Sequence, residues 1–245
     1  MKPIRTLLRM LPLLAIAIFM SSCEPDNWNN IHGKGPVFSE TRDVPIHRDF
    51  YVSIPADVFI YQSPASDLTI EAQANVLDAI ETYVSGNELK IKLEDGAGLG
   101  SHERIKIYIS SAMYNSIRLS GSVNLYSETP IVTDDFDISI SGSGEADVVV
   151  IANTVSASIS GSGKMWIEGS TEYEEFTISG SGDIYSYGLL SETSDISISG
   201  SGNAEATVEE FLKARISGSG SIYYAGFPDV DSHVSGSGSV VHVNK

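Results

Sequence analysis

The residues whose type and spacing first suggest chemistry are serines. Ser139–Gly144 reads Ser-Ile-Ser-Gly-Ser-Gly, and serine between glycines is the setting of a nucleophile in many hydrolases. A nucleophile elbow, however, needs one serine on one sharp turn, with a single histidine base held by a carboxylate. Here the serine recurs many times and no histidine follows it, so a small polar ladder is the expected role and no catalytic residue is assigned. His32, His47, His102, His233 and His242 fall in no metal-ligand spacing, and the nine-residue Gly/Asp repeat of calcium-binding coils is missing. Asp134, Asp135 and Asp137 form one acidic cluster, which reads as a solvated loop ahead of a calcium site. No metal and no cofactor are therefore expected.

Glycoside chemistry needs converging carboxylates about 5–10 Å apart. After the last glycine of each repeat, the first position reads Glu145, Lys164, Asp183, Asn203, Ser221, Ser239. The third reads Asp147, Trp166, Tyr185, Glu205, Tyr223, Val241. Neither series sets up a persistent acid pair or a basic cluster. The third series does offer a binding stripe, Trp166, Tyr185 and Tyr223, because exposed rings along a rigid surface stack on sugars or on a partner protein. The competing reading turns these rings into the core.

These residues must be positioned by the repeat itself. Ile159–Gly163, Ile178–Gly182, Ile198–Gly202, Ile216–Gly220 and Val234–Gly238 repeat an aliphatic residue before Ser-Gly-Ser-Gly, and Leu119–Val123 is a degenerate copy. The first glycines, Gly121, Gly142, Gly161, Gly180, Gly200, Gly218 and Gly236, are spaced 21, 19, 19, 20, 18 and 18 residues apart. Such a period predicts a solenoid, in which one coil cannot bury its apolar face alone. The fold class expected is all-β, a single-stranded right-handed parallel β-helix with about 18–21 residues per coil, following the handedness of parallel crossovers. An immunoglobulin-like sandwich gives no reason for one motif to recur. Strand alternation then places residues 119, 140, 159, 178, 198, 216 and 234 inside, with Ala146, Met165, Ile184, Ala204, Ile222 and Val240 as a second inner ladder. The glycines either take positive φ or let neighbouring backbones approach.

Around the repeats, four segments are expected. Residues 1–22 carry Lys2, Arg5 and Arg9 ahead of an apolar run and read as a signal peptide. The Met20-Ser21-Ser22-Cys23 junction resembles a bacterial lipoprotein processing box, with Cys23, the only cysteine, as the lipidated residue; an ordinary signal peptide is the alternative. Residues 23–35 read as a flexible tether. Residues 36–115 read as an N-terminal β portion, with a turn at Ser85-Gly86-Asn87, one helical turn within Ala74–Ile80 and a mobile loop over Glu94–Arg104. Residues 116–245 hold the repeats. The last coil ends without a polar cap, which predicts end-to-end self-association or a covering N-terminal segment.

Removing residues 1–22 takes three positive charges and no negative ones, moving the formal charge from −17 to −20. That surface disfavours nucleic acid and anionic headgroups as partners. It accommodates cationic ligands, divalent ions or sugars.

Ala74-Asn75-Val76-Leu77 and Ser85-Gly86-Asn87-Glu88-Leu89, followed by repeated Ser-Gly-Ser-Gly, resemble the autotransporter adhesin head domains of GIN type, common among exported proteins of Bacteroidetes. The resemblance spans about Val37 to Val243. It implies a right-handed β-helix on an envelope lipoprotein and a binding role, with no reactive side chain in its motifs. The function expected is thus a lipid-anchored envelope protein, adhesin-like, contacting a glycan or surface protein without catalysis. A carbohydrate-active enzyme (lyase or hydrolase) on the same scaffold is the alternative, and a purely structural or signalling module a third. The address is the cell envelope, at the outer membrane, with Glu24 and Asp26 loosely resembling surface-export signals; the leaflet is left open.

Overall fold

The computed structural model describes residues 29–244. The signal segment, Cys23, Glu24 and Asp26 lie outside the described residues. The rest is a β-solenoid of about seven turns with one short helix, Ala74–Leu77.

Its centre is four long strands, Glu145–Gly161, Lys164–Gly180, Asp183–Gly200 and Asn203–Gly218, each a full coil paired in parallel with the next. Ile140 pairs with Ile159 and Ile159 with Ile178, so the aliphatic residue of each motif stacks on its equivalent. Leu119, Ile140, Ile159, Ile178, Ile198 and Ile216 are at most 2% exposed. The second ladder, Ala146 to Ile222, is buried as well. Both spines therefore follow from strand alternation repeated at a coil period.

The two motif glycines do different work. The first has positive φ in every copy (Gly161, +129°), and a Cβ there would meet Gly142 O at 2.4 Å. The second lies outside the positive-φ region, but a Cβ on Gly202 would come 2.0 Å from Gly182 O. One glycine turns the chain and both admit the neighbouring coil. Coils are also tied here by backbone, Ser162 N donating to Gly142 O at 2.9 Å and Ser181 N to Gly161 O at 2.8 Å. The coil-to-coil bonds of the motif thus run through main-chain groups, while the serine side chains of the inner row, Ser141 to Ser235, point to solvent.

The N-terminal portion winds out of chain order. Ala56–Gln62 lies between Ile105–Ser111 and Asn124–Ser127, parallel to both, and Asp49–Val52 lies between Glu88–Leu93 and Ser116–Gly121. Antiparallel strands then close this end. Asp67–Gln73 pairs with Ile105–Ser111 on one side and Val37–Arg42 on the other, and Ile80–Ser85 forms a hairpin with Glu88–Leu93 through Gly86-Asn87. Arg42 pins the outer strand to the helix end, donating to Ile80 O at 2.6 Å and Leu77 O at 2.9 Å.

Two expectations need correction. The stretch read as a tether includes a strand, Asn29–Ile31, and the stretch read as a mobile loop includes its parallel partner, Ala97–Leu99. Their backbone groups find each other although neither stretch shows apolar alternation. The described N-terminal strand Val37–Arg42, moreover, lies against Asp67–Gln73 and not over the last coil. Among the described residues nothing covers Asp229–Gly236, which pairs only with Asn203–Gly218 and leaves Val230 and Val234 about 40% exposed.

Candidate functional site

The third position after each motif faces outward, because its neighbours Ala146, Met165, Ile184 and Ile222 face the core. Trp166 is 37% exposed, and Tyr185 and Tyr223 are half-buried. The reading in which these rings fill the interior is therefore overturned: the turn does not reverse the alternation. Trp166 and Tyr185 stack, with centroids 5.3 Å apart and planes at 21°.

The register extends this row well beyond the repeats. Tyr108, Phe59, Tyr126, Asp147, Trp166, Tyr185, Glu205 and Tyr223 follow one another as consecutive cross-strand partners. Phe59 stacks on Tyr108 at 5.2 Å and on Tyr126 at 5.4 Å, so the N-terminal end carries three rings in sequence. Six aromatic side chains thus share one outward line on a rigid sheet. Sequence reasoning found three of them. The others lack the Ser-Gly-Ser-Gly marker, and Phe59 enters the row from a coil wound out of order.

A polar row flanks the rings two residues earlier on each strand: Lys106, Asp57, Asn124, Glu145, Lys164, Asp183, Asn203, Ser221. It is held by its own hydrogen bonds. Asn124 Nδ2 donates to Asp57 Oδ1 at 3.0 Å and Asn203 Nδ2 to Asp183 Oδ1 at 2.9 Å, while Ser221 N donates to Asn203 Oδ1 at 3.1 Å. Arg104 bonds to Asp57 and holds that carboxyl below its usual range. Burial, followed by nearby carboxylates, raises the phenols of Tyr108, Tyr126 and Tyr185. The hydroxyls stay protonated at neutral pH and remain both donors and acceptors.

The row is broken twice, at Asp147 and at Glu205. At Asp147, between Tyr126 and Trp166, the rings give way to a notch of about 260 Å³ lined also by Leu125, Glu145 and Ala146.

The most displaced carboxyl lies elsewhere. Glu174 is fully buried and burial pushes it up to about 8; the hydroxyls of Ser194 and Ser191 lie close enough to oppose this weakly, but neither completes a well-formed hydrogen bond to its oxygens. It lines no cleft. The histidines are scattered: His32 bonds Ser101, His47 is buried against Pro45 O, and His242 meets Gly226 O. Among the described residues no three His, Cys, Asp or Glu side chains converge on a metal position, Asp134, Asp135 and Asp137 included.

A rigid β-solenoid with an outward line of stacked rings beside an ordered polar row defines the class of this protein. Residues 51–228 match the model of the putative auto-transporter adhesin head GIN domain, and the chain belongs to that family. Its fold is similar to that of a putative adhesin from Bacteroides fragilis (TM-score 0.84, 22% identity, covering 87% of this chain and 100% of that one). It is also similar to a putative lipid binding protein from Parabacteroides distasonis (TM-score 0.74, 21% identity, 88% and 100%) and to a putative adhesin from the same organism (0.73, 22%, 87% and 100%). No curated protein matches the chain.

Proposed function

We propose that this chain is a lipid-anchored envelope protein that uses its aromatic face as an adhesin-like, non-catalytic binding surface, with glycans as the ligand class. The carrying observation is the outward row Tyr108–Phe59–Tyr126–Asp147–Trp166–Tyr185–Glu205–Tyr223. A sugar ring has flat C–H faces and hydroxyl edges; the rings meet the faces, and Asp57, Asn124, Asp183 and Asn203 reach the edges. Rungs about 4.8 Å apart let an extended chain of sugars repeat the same contact along the solenoid.

Family membership supports a surface or envelope role. The lipid anchor at Cys23 and the outer-membrane address remain part of the proposal, carried by the sequence. The absence of catalysis in this reading is supported by where the perturbed acid lies: Glu174 is sealed inside, while Glu145 and Asp147 stand in an open notch. The test is a glycan and matrix-protein array probed with the purified protein, run beside a polysaccharide turnover assay. Saturable retention without turnover is expected. Turnover of any retained polysaccharide overturns the non-catalytic reading, and retention only on proteins overturns the glycan reading.

A further inference from the structure

Two stacks of rings end at the same place. Tyr126 gives one face to Phe59, and Trp166 gives one face to Tyr185. The opposite faces of Tyr126 and Trp166 border the notch at Asp147, which is lined by both rings. They are two rungs apart, because Tyr126 pairs with Asp147 and Asp147 with Trp166. Two rungs amount to about 9.6 Å along the solenoid.

That gap selects by thickness. A flat group sandwiched in contact needs about 3.5–4 Å on each side, so rings about 7–8 Å apart would clasp it. A rounded alkylammonium group at the midpoint of the gap would sit about 5 Å from each ring, inside the ~6 Å reach of a cation–π contact. The rest of the lining agrees in sign. Asp147 is exposed between the rings, and Glu145 lies beside it. Among the described residues neither Asp147 nor the nearby Lys164 makes a side-chain ion pair, and neither ring has a cation over it.

We propose that Tyr126, Asp147 and Trp166, three neighbours within the same outward row, form a cage for a methylated ammonium group, a reading that does not require the row to bind glycans. The group is of the kind carried by free choline or by a choline lipid headgroup. Each ring supplies a face, and Asp147 supplies the counter-charge that a neutral sugar does not need.

The test is a fluorescence titration of the full chain carrying Trp28→Phe, so that Trp166 is the one emitting tryptophan. Tetramethylammonium chloride is added at constant total chloride, with sodium chloride as the control. A saturable change in Trp166 emission is expected, with sodium silent. Asp147→Asn should weaken binding about fivefold by removing the counter-charge. Asp147→Tyr should abolish it by completing the ring row, with an unchanged melting curve showing that the fold persists. A non-saturating response, or the same response in folded Asp147→Tyr, overturns the proposal. Cosedimentation with phosphatidylcholine vesicles, against phosphatidylglycerol vesicles, separates the sources. Selective retention assigns the ammonium to a lipid headgroup, and saturable choline binding without retention assigns it to a free molecule; both support the cage. Loss of glycan retention in Tyr185→Ala or Tyr223→Ala, with tetramethylammonium binding kept, tells failure of the glycan reading from failure of the cage.

Discussion

Trp166 and Tyr185, on adjacent coils, lie ring on ring at 5.3 Å with only 21° between their planes, on the outside of the solenoid. A stacked pair at that separation contributes about 0.5–1.5 kcal/mol beyond its buried area. A double-mutant cycle of Trp166→Ala and Tyr185→Ala in chemical denaturation should return a coupling of that size. A coupling near zero would mean that the rings do not stack in solution.

Replacing a motif glycine should be far more damaging than replacing its neighbouring serine. Gly161→Ala asks an L side chain to adopt φ +129° and places its Cβ 2.4 Å from Gly142 O. A loss of about 3 kcal/mol or more is expected. Ser160→Ala, on the exposed row, should stay within about 0.5 kcal/mol. Equal losses would remove the close-approach account of the motif.

Stability should fall as pH rises through neutrality. The folded-state carboxyl of Glu174 keeps its proton up to about 8, whereas the unfolded chain releases it near 4.5. Between those values the folded state binds more protons, so each step up in pH favours unfolding, fully by pH 8 and above. The loss is on the order of 3–5 kcal/mol. Denaturant unfolding from pH 5 to 8.5 should show it, and Glu174→Gln should flatten the profile. A wild-type profile that rises over this window would contradict the buried, unpartnered carboxyl.

Strand alternation made much of this legible in advance. Ile140, Ile159 and Ile178 had to stack once the motif recurred at a coil period, and Trp166, Tyr185 and Tyr223 had to share the opposite face, one position after Met165, Ile184 and Ile222. The same alternation carries Glu174 inward, two residues before buried Phe176 and four before Ile178, so that signal was present in the sequence too. Phe59 and Tyr108 were not legible, because Ala56–Gln62 sits between strands from residues 105–111 and 124–127 and no local pattern encodes that winding. The pairing of Asn29–Ile31 with Ala97–Leu99 joins two glycine- and asparagine-rich stretches whose composition reads as loop.

The open last coil should behave as an edge. Among the described residues Asp229–Gly236 pairs on one side only, with Phe227 90% exposed beside it. An unpaired strand of this kind recruits another, and end-to-end association between copies is expected. Light scattering should show a mass that rises with protein concentration, and Val234→Lys should suppress the rise. A concentration-independent monomer with freely exchanging amides in this strand would contradict it.

A binding face on the outward ring row must lose its ligand when the rings are removed. Affinity electrophoresis of the intact protein through gels carrying polysaccharides retained in the array measures that loss most directly. The Trp166→Ala/Tyr185→Ala double variant should lose retention at least about tenfold, the equivalent of about 1.4 kcal/mol, while melting within a few degrees of the parent. Retention unchanged in a folded double variant would place the binding surface elsewhere and contradict the account.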